Sequence, residues 1–494
     1  MTHSYRPFRL EISGQLQLES FHIGSGHQLS LVSDSPILRD PQGAAYVPAS
    51  GLRGVIRAHL EREASLLSGS IQSLFGEVPG RRQEEENSHF GRLTIFDATS
   101  AEKIASEVRD HVAIDEKLGS AKSGAKFDQE LAFATSPLAF GLIYEGDSAS
   151  DPDLLLLQEA IRALEQSELA CGAKSGLGFG RLTLSHTRYR TFQRSHPAGL
   201  AAWLAYRLNP ELTASAAAFA WPQPSGPIGK LNPAAPPLCR LELTLRLQFD
   251  GPVLVRAPLP PLPSGKLYDL RSPADLIAKG AETADHVFVR NAANAHYLPG
   301  SSFRGVLRHQ ALRIAKQRSQ QKAFDTLFGT LKNETGSKGR LEVPDGRLLD
   351  NPRPIYLDHV AIDRITGFAA DKLKFATCGL ESPSFETKLT LRFSHADLAA
   401  LALFGFLLRD AIDGWLWAGG GVTRGYGHLA HTHITAVHLN LTDDFAPPGD
   451  FLPGADRHSG SGRTRFTAGQ IAFEDFQWLW TLAEAAWNQQ ESAA

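Results

Sequence analysis

Positive charge is not in excess in this sequence: of its 494 residues, 50 are Lys or Arg and 53 are Asp or Glu, a net charge of -3. A protein that finds nucleic acid alone carries a global basic footprint. This chain does not, so any polyanion must be met at a local basic site. Cysteine is scarce: Cys171, Cys239 and Cys378 are isolated and odd in number, which excludes a disulfide framework and leads to the expectation of a reduced, cytoplasmic setting. Long apolar runs are missing as well. The longest, Leu398 to Leu408, falls short of the roughly 20 residues that span a bilayer, so no membrane partner is expected. The opening stretch MTHSYRPFRLEIS has no apolar leader-like region. At 42% hydrophobic and 21% charged residues, the composition also excludes a disordered or fibrous chain.

What is present is a duplication. A chain of this length usually divides into domains, here two of about 250 residues. YVPASGLRGVIR at Tyr46 to Arg57 returns as YLPGSSFRGVLR at Tyr297 to Arg308, an offset of 251. LFG at Leu74 returns at Leu327, offset 253; DHVAID at Asp110 returns at Asp358, offset 248; FGRL at Phe179 answers YGHL at Tyr426, offset 247. Four collinear matches with nearly constant offsets make the halves copies of one unit.

Within a copy, the apolar period assigns the elements. Leu241, Leu243, Leu245, Leu247 and Phe249 alternate with polar residues, as do Leu10, Ile12, Leu16 and Leu18, so a half-buried strand opens each copy. Leu52, Val55, Ile56 and Leu60, matched by Phe303, Val306, Leu307 and Ala311, follow a helical spacing. Second helices are predicted at Asp153 to Leu164 and Ser394 to Ile412, each leading through a glycine-rich loop to a final strand, Arg181 to Leu184 or His428 to Ile434. Strand, helix, strands, helix, strand predicts an α+β fold of two tandem ferredoxin-like domains. The expected boundaries are 1–190 and 239–445 for the copies, 191–238 for an Ala- and Pro-rich linker, and 446–494 for a hinge and a terminal helix. That tail carries Phe473, Phe476, Trp478, Trp480 and Trp487, which either cover their own domain or dock on a partner.

Three repeated features carry candidate chemistry. Arg53 and Arg57, and again Arg304 and Arg308, lie four apart near a helix start, beside Ser50 and Ser301, and predict a phosphate site; the alternative is solvated arginines on an exposed face. The glycine-rich stretches CGAKSGLGFGR and AGGGVTRGYGHL let a backbone approach phosphates or bases, with Lys174 and Arg424 for charge and Phe179 or Tyr426 for stacking. A tight turn is the plainer account. Asp34, in a Ser-Asp-Ser-Pro turn with His22 nearby, either caps the backbone or holds a divalent metal and helps activate a 2′-hydroxyl. His22 in turn is either a titratable companion or a core histidine. Asp285 is collinear with Asp34, without the Ser-Pro.

Together HIGSG, SDSPILRD, VPASGLRGVIR, LFGE, DHVAID and GLGFGR, with LPGSSFRGVLR, HVAIDRITG and GGGVTRGYGHL in the second half, resemble the RAMP superfamily of CRISPR-associated proteins, above all the backbone subunits of type III effector complexes. The resemblance implies a modified RNA-recognition fold in each copy. It also implies CRISPR RNA, complementary target RNA and other effector subunits as partners, with the DHVAID segments on thumb-like hairpins. It further implies that Asp34 supports metal-dependent cleavage of target RNA, with Mg²⁺ as the expected ion and Asp285 as a second catalytic candidate. Expected RNA contacts are His22, Ser50, Arg53, Arg57, Lys174, Ser301, Arg304, Arg308 and Arg424. A non-catalytic guide-RNA scaffold, and a repeat-processing, metal-independent endoribonuclease of the same superfamily, are the alternatives.

Overall fold

The computed structural model describes residues 6–18, 20–24, 33–63, 71–76, 91–115, 121–208, 219–222, 238–257, 284–291, 294–330, 336–445, 447–449, 451–460 and 463–493. The Pro-rich stretch 258–263 and most of the linker run, 223–237, lie outside the described residues. Two compact units divide the chain: Met1–Arg109, Asp128–Ser175 and Phe179–Pro237 in the first, and Asp110–Phe127, Gly176–Gly178 and Leu238–Ala494 in the second.

The first copy runs β1 (Phe8–Gln17), α1 (Ala49–Glu63), α2 (Ile71–Phe75), β2 (Leu93–Ile95), β3 (Ala105–Ile114), β4 (Ala121–Phe133), β5 (Leu138–Gly146), α3 (Asp153–Glu165), β6 (Leu169–Ala170), β7 (Arg181–Gln193) and α4 (Pro197–Leu208). Five strands form one sheet in the order β2-β5-β1-β7-β6, and β3 pairs only with β4 as a separate ribbon. Strand β1 is antiparallel to both neighbours, and its ladder to β7 shifts register between Ser13 and Gln15. Gly14 permits that shift, since a Cβ there would stand 2.9 Å from the Leu184 side chain. The alternation in β1 sends Leu10, Ile12 and Leu16 into a core shared with Leu52, Ile56 and Leu60 of α1 and Leu154, Leu157 and Ile161 of α3. All nine are at most 2% exposed. The segment after β7 is not free of the fold, because Phe219 and Trp221 pack on Tyr189.

The second copy runs β8 (Cys239–Asp250), β9 (Pro252–Val253), β10 (Arg256–Ala257), β11 (His286–Phe288), β12 (Tyr297–Leu298), α5 (Gly300–Gln317), α6 (Gln321–Phe328), the short pair β13 (Gly329–Thr330) and β14 (Ser337–Lys338), β15 (Leu341–Glu342), β16 (Gly346–Leu348), β17 (Pro354–Ile362), β18 (Ala369–Glu381), β19 (Ser384–Phe393), α7 (Leu398–Ile412) and β20 (His428–Thr442). It continues as β21 (Asp456–Gly460), β22 (Arg463–Ala468) and α8 (Gln477–Ala493). The main sheet has the order β12-β16-β19-β8-β20-β22-β21, with β15 also on β19; a second sheet runs β10-β11-β18-β17, with β9 on β18. The path β15-β19-β8-β20 repeats β2-β5-β1-β7: Leu341 pairs with Leu391 as Leu93 pairs with Tyr144.

Helix α7 contains the long apolar run of the sequence and is a core helix, buried from Leu398 through Gly405. Among the described residues no helix is long and apolar enough to cross a membrane. The tail covers its own unit: Phe476, Trp480 and Trp487 are at most 3% exposed, and Gly405 lets the Trp480 ring lie where a Cβ would meet it at 3.1 Å. The segment 446–494, expected as a hinge and a terminal helix, also contains strands. There β21 pairs with β22, and β22 adds to β20, so the sheet grows past the repeated unit.

Candidate functional site

The loop carrying Asp34 lies along β4, and its position is set by a reciprocal clamp. The Asp34 amide donates to Asp128 Oδ1 at 2.6 Å, and the Asp128 amide donates to Asp34 Oδ2 at 3.1 Å. Asp34 itself is exposed. Two residues along, the Glu130 amide donates to the Ser35 carbonyl at 3.1 Å, and the Glu130 carboxylate accepts from the Ile37 amide at 3.1 Å. Arg39, at 2.5 Å, and Ser106, at 2.7 Å, complete its partners. Burial alone would raise the Glu130 carboxyl, but the hydrogen bonds from Ile37, Ser106 and Arg39 hold it below the usual carboxylate range.

His22 lies behind this loop, 4% exposed. Its Nδ1 is 2.7 Å from the Glu130 carbonyl, which can only accept, so Nδ1 carries the proton and Nε2 faces the Ser35 hydroxyl at 3.4 Å. The expected RNA contact at His22 is therefore corrected: the ring buttresses the loop from inside. Sequence reasoning missed Asp128 and Glu130 altogether, because nothing in a strand 94 residues away signals a partner for Asp34.

The second copy repeats the backbone of this arrangement and changes its side chains. The Asp285 amide donates to the Ala376 carbonyl at 3.0 Å and the Ala376 amide returns to Asp285 Oδ2 at 2.7 Å. Ala376 thus stands where Asp128 stands, and Cys378 where Glu130 stands, both at an offset of 248. Gly420 donates to the Leu254 carbonyl at 2.7 Å as Ala173 donates to that of His22 at 2.9 Å, so Leu254 replaces the histidine. Asp285 keeps its anchor, but Ala376 stands opposite it in place of a carboxylate.

The paired arginines require a correction. Arg53 donates to the Leu93 carbonyl at 2.7 Å and also to the Phe75 carbonyl, with its guanidinium 5.2 Å over the Phe75 ring. Arg304 reaches the Phe328 carbonyl at 3.3 Å and lies 5.0 Å over the Phe328 ring. Burial, with the charge of Arg308 second, pushes the Arg304 guanidinium down to about 10. Both first arginines are spent on the LFG turn that ends α2 or α6, which explains why the two motifs recur together. The helix starts are also already served. Ala49 donates to Asp97 at 2.7 Å and Gly300 to Asp345 at 2.8 Å, so a carboxylate of the chain's own lies where a phosphate was expected. Ser50 is exposed beside that start and Ser301 half-buried. Arg57 pairs with Glu61 at 2.8 Å, and Arg308 is exposed with its guanidinium 5.1 Å from the Phe324 ring centre.

The glycine-rich loops do not present Phe179 and Tyr426 as stacking faces. These rings are 2% and 3% exposed, and the Tyr426 hydroxyl bonds His359 at 2.9 Å and Thr377 at 3.2 Å. Lys174 is exposed and sits at φ 59°, in the left-handed region. Arg424 is exposed, its guanidinium 5.3 Å over Phe375.

The DHVAID segments form the outer ends of β3 and β17 and turn apolar side chains outward. Val112, Ile114 and Phe127 are 48, 53 and 40% exposed in one ribbon, and Ile362, Ile365 and Phe368 are 59, 95 and 76% exposed in the other. Asp363, the last residue of the second motif, accepts the Ile365 and Thr366 amides at 2.9 and 2.8 Å and so shapes the turn. His111 stacks on Phe127 at 5.1 Å, and His359 on Phe375 at 4.8 Å.

Among the described residues, His59, Glu159 and Glu168 form a group with metal-ligand spacing. Its charge is already answered by Arg162, which bonds Glu159 at 2.7 Å and Glu168 at 3.0 Å. Glu159 sits at about 2, because its bonds from Arg162 and His59 outweigh burial. This is an ion-pair network binding α1 to α3.

The RAMP superfamily model matches residues 18–183 and 246–430, one region in each copy. The chain therefore belongs to the RAMP superfamily, as two RAMP regions in tandem. Membership implies a CRISPR-associated, RNA-binding role with CRISPR RNA and other CRISPR subunits as partners, in a family that includes endoribonucleases. No curated protein matches the chain.

Proposed function

We propose that this chain is a tandem backbone subunit of a type III CRISPR effector complex, holding guide RNA along two ferredoxin-like units and cutting guide-paired target RNA at Asp34. The sheet path β2-β5-β1-β7, returning as β15-β19-β8-β20, supports the ferredoxin-like reading. Outward apolar residues on both ribbons suit thumbs that part a guide–target duplex.

The observation that carries the cleavage reading is the Asp34–Asp128 clamp. Each carboxylate uses one oxygen on the other's amide, and neither accepts a further hydrogen bond among the described residues. Hard oxygen donors on the exposed Asp34 and the half-buried Asp128 suit Mg²⁺, which binds through one or two carboxylates plus substrate phosphate oxygens. A bound Mg²⁺ would polarise the phosphoryl oxygen. Asp34 and Asp128 would hold that ion, and the buried His22 keeps the loop in place through Ser35. In the second copy Ala376 removes the facing carboxylate, which favours RNA holding over cutting at Asp285.

The test uses the assembled complex with a complementary target RNA and Mg²⁺. Asp34→Ala is expected to abolish one cut while assembly and guide content stay the same, and chelation of Mg²⁺ to abolish the same cut. An unchanged ladder in the variant overturns the assignment.

A further inference from the structure

The position that is acidic in the first copy is basic in the second. Gly24, Asp34, Ser35, Asp128, Glu130 and Leu177 correspond to Arg256, Asp285, His286, Ala376, Cys378 and Arg424. With histidine neutral these sets carry -3 and +1; Arg39, which pairs with Glu130, and its counterpart Arg290 add one positive charge to each, giving -2 and +2.

Two of the second set, Arg424 and His286, meet at one ring. Phe375 has the Arg424 guanidinium 5.3 Å over its face, His359 stacked at 4.8 Å and His286 edge-on at 6.3 Å. The ring of His359 is fixed from behind by Tyr426 at 2.9 Å and Thr377 at 3.1 Å. Arg256 reaches the same loop: a Cβ on Gly420 would stand 3.3 Å from its Nε. Burial first, and then the charges of Arg256 and Arg424, lower both His286 and His359, so both guanidinium charges reach both rings. Asp285 and Asp358 act in the opposite sense, but Asp358 pairs with Lys374 at 3.6 Å. Arg256 and Arg424 are exposed, and neither makes an ion pair among the described residues.

We propose that Arg256 and Arg424, flanked by His286 and His359 on the Phe375 ring, hold a phosphodiester of RNA, so that the second unit anchors the strand where the first cuts it. Two forked cations suit a phosphodiester, whose oxygens accept parallel N–H donors from guanidinium groups. The proposal rests on the RNA-binding reading above.

The test titrates the full-length chain with fluorescent CRISPR RNA over a series of KCl concentrations. The wild-type chain, Arg256→Gln/Arg424→Gln, and Arg313→Gln/Lys316→Gln on exposed α5 are compared, the last pair losing the same charge away from the cluster. The cluster variant is expected to bind about tenfold more weakly, with a log–log salt slope smaller by about 0.7 to 1.4, one or two single-strand phosphates. Arg256→Lys/Arg424→Lys restores most of the slope, and the α5 pair leaves it unchanged. Equal losses in the cluster and α5 variants, or none in the cluster variant, overturn the site while leaving RNA binding intact. Absence of RNA binding by the wild-type chain overturns the underlying reading instead. If polyglutamate binds with the same arginine dependence and RNA does not, the ligand is an acidic protein and the proposal fails.

Discussion

Asp128 has two roles that substitution can separate. Its side chain accepts the Asp34 amide and so aims the loop, and it adds a second negative charge beside Asp34. Asp128→Asn keeps an acceptor and loses the charge, whereas Asp128→Ala loses both. In the assembled complex, Asp128→Ala is expected to lower the Asp34-dependent cut tenfold or more with CRISPR RNA retained. If Asp128→Asn cuts as wild type does, the role is positioning; if it falls as far as the alanine variant, the charge is used. Asp34 was visible in the sequence through its Ser-Asp-Ser-Pro turn. Asp128 and Glu130 were not, because a hydrogen bond between residues 94 apart exists only once the loop lies along β4.

At the scale of elements, the recurring Arg-to-LFG pair is a joint between helices. The arginine of α5 satisfies the last carbonyl of α6 and covers its ring, a role that charge alone does not signal. Arg304→Ala is expected to cost about 2 to 3 kcal/mol in urea unfolding, since it strips a buried carbonyl of its donor and a ring of its cover. Arg308→Ala, at an exposed position, is expected to stay within about 0.5 kcal/mol. Comparable losses would show that the pair acts together on one face, as the four-residue spacing first suggested. The motif repetition marked Arg53 and Arg304 as special, but only the packed α1–α2 and α5–α6 corners show that they point into protein.

At the scale of whole units, His296 of the second copy stands where the first has Ala45, at an offset of 251. His296 in the second unit is pushed down to about 4, by burial first and the Arg290 charge second, against a weak opposing bond to Val289. A histidine that resists protonation when folded leaves stability intact above pH 6.5 and lowers it as pH falls toward 4, because the unfolded chain takes up the proton first. The thermal midpoint of the second unit is therefore expected to drop between about pH 6.5 and 4. His296→Phe makes that limb shallower, leaving the share of His286 and His359, whose protonation burial also opposes, and tryptophan fluorescence reports it. An equally steep limb in the variant assigns the acid response elsewhere. The duplication, the opening strands and the core helices were settled by the sequence alone, because apolar periodicity and collinear repeats are local properties that packing must obey. Tertiary structure alone decided which charges face solvent, since strand pairing brings β4 or β18 against the aspartate loop, and only there does one copy set Asp34 beside Asp128 and the other set out two arginines that make no ion pair among the described residues.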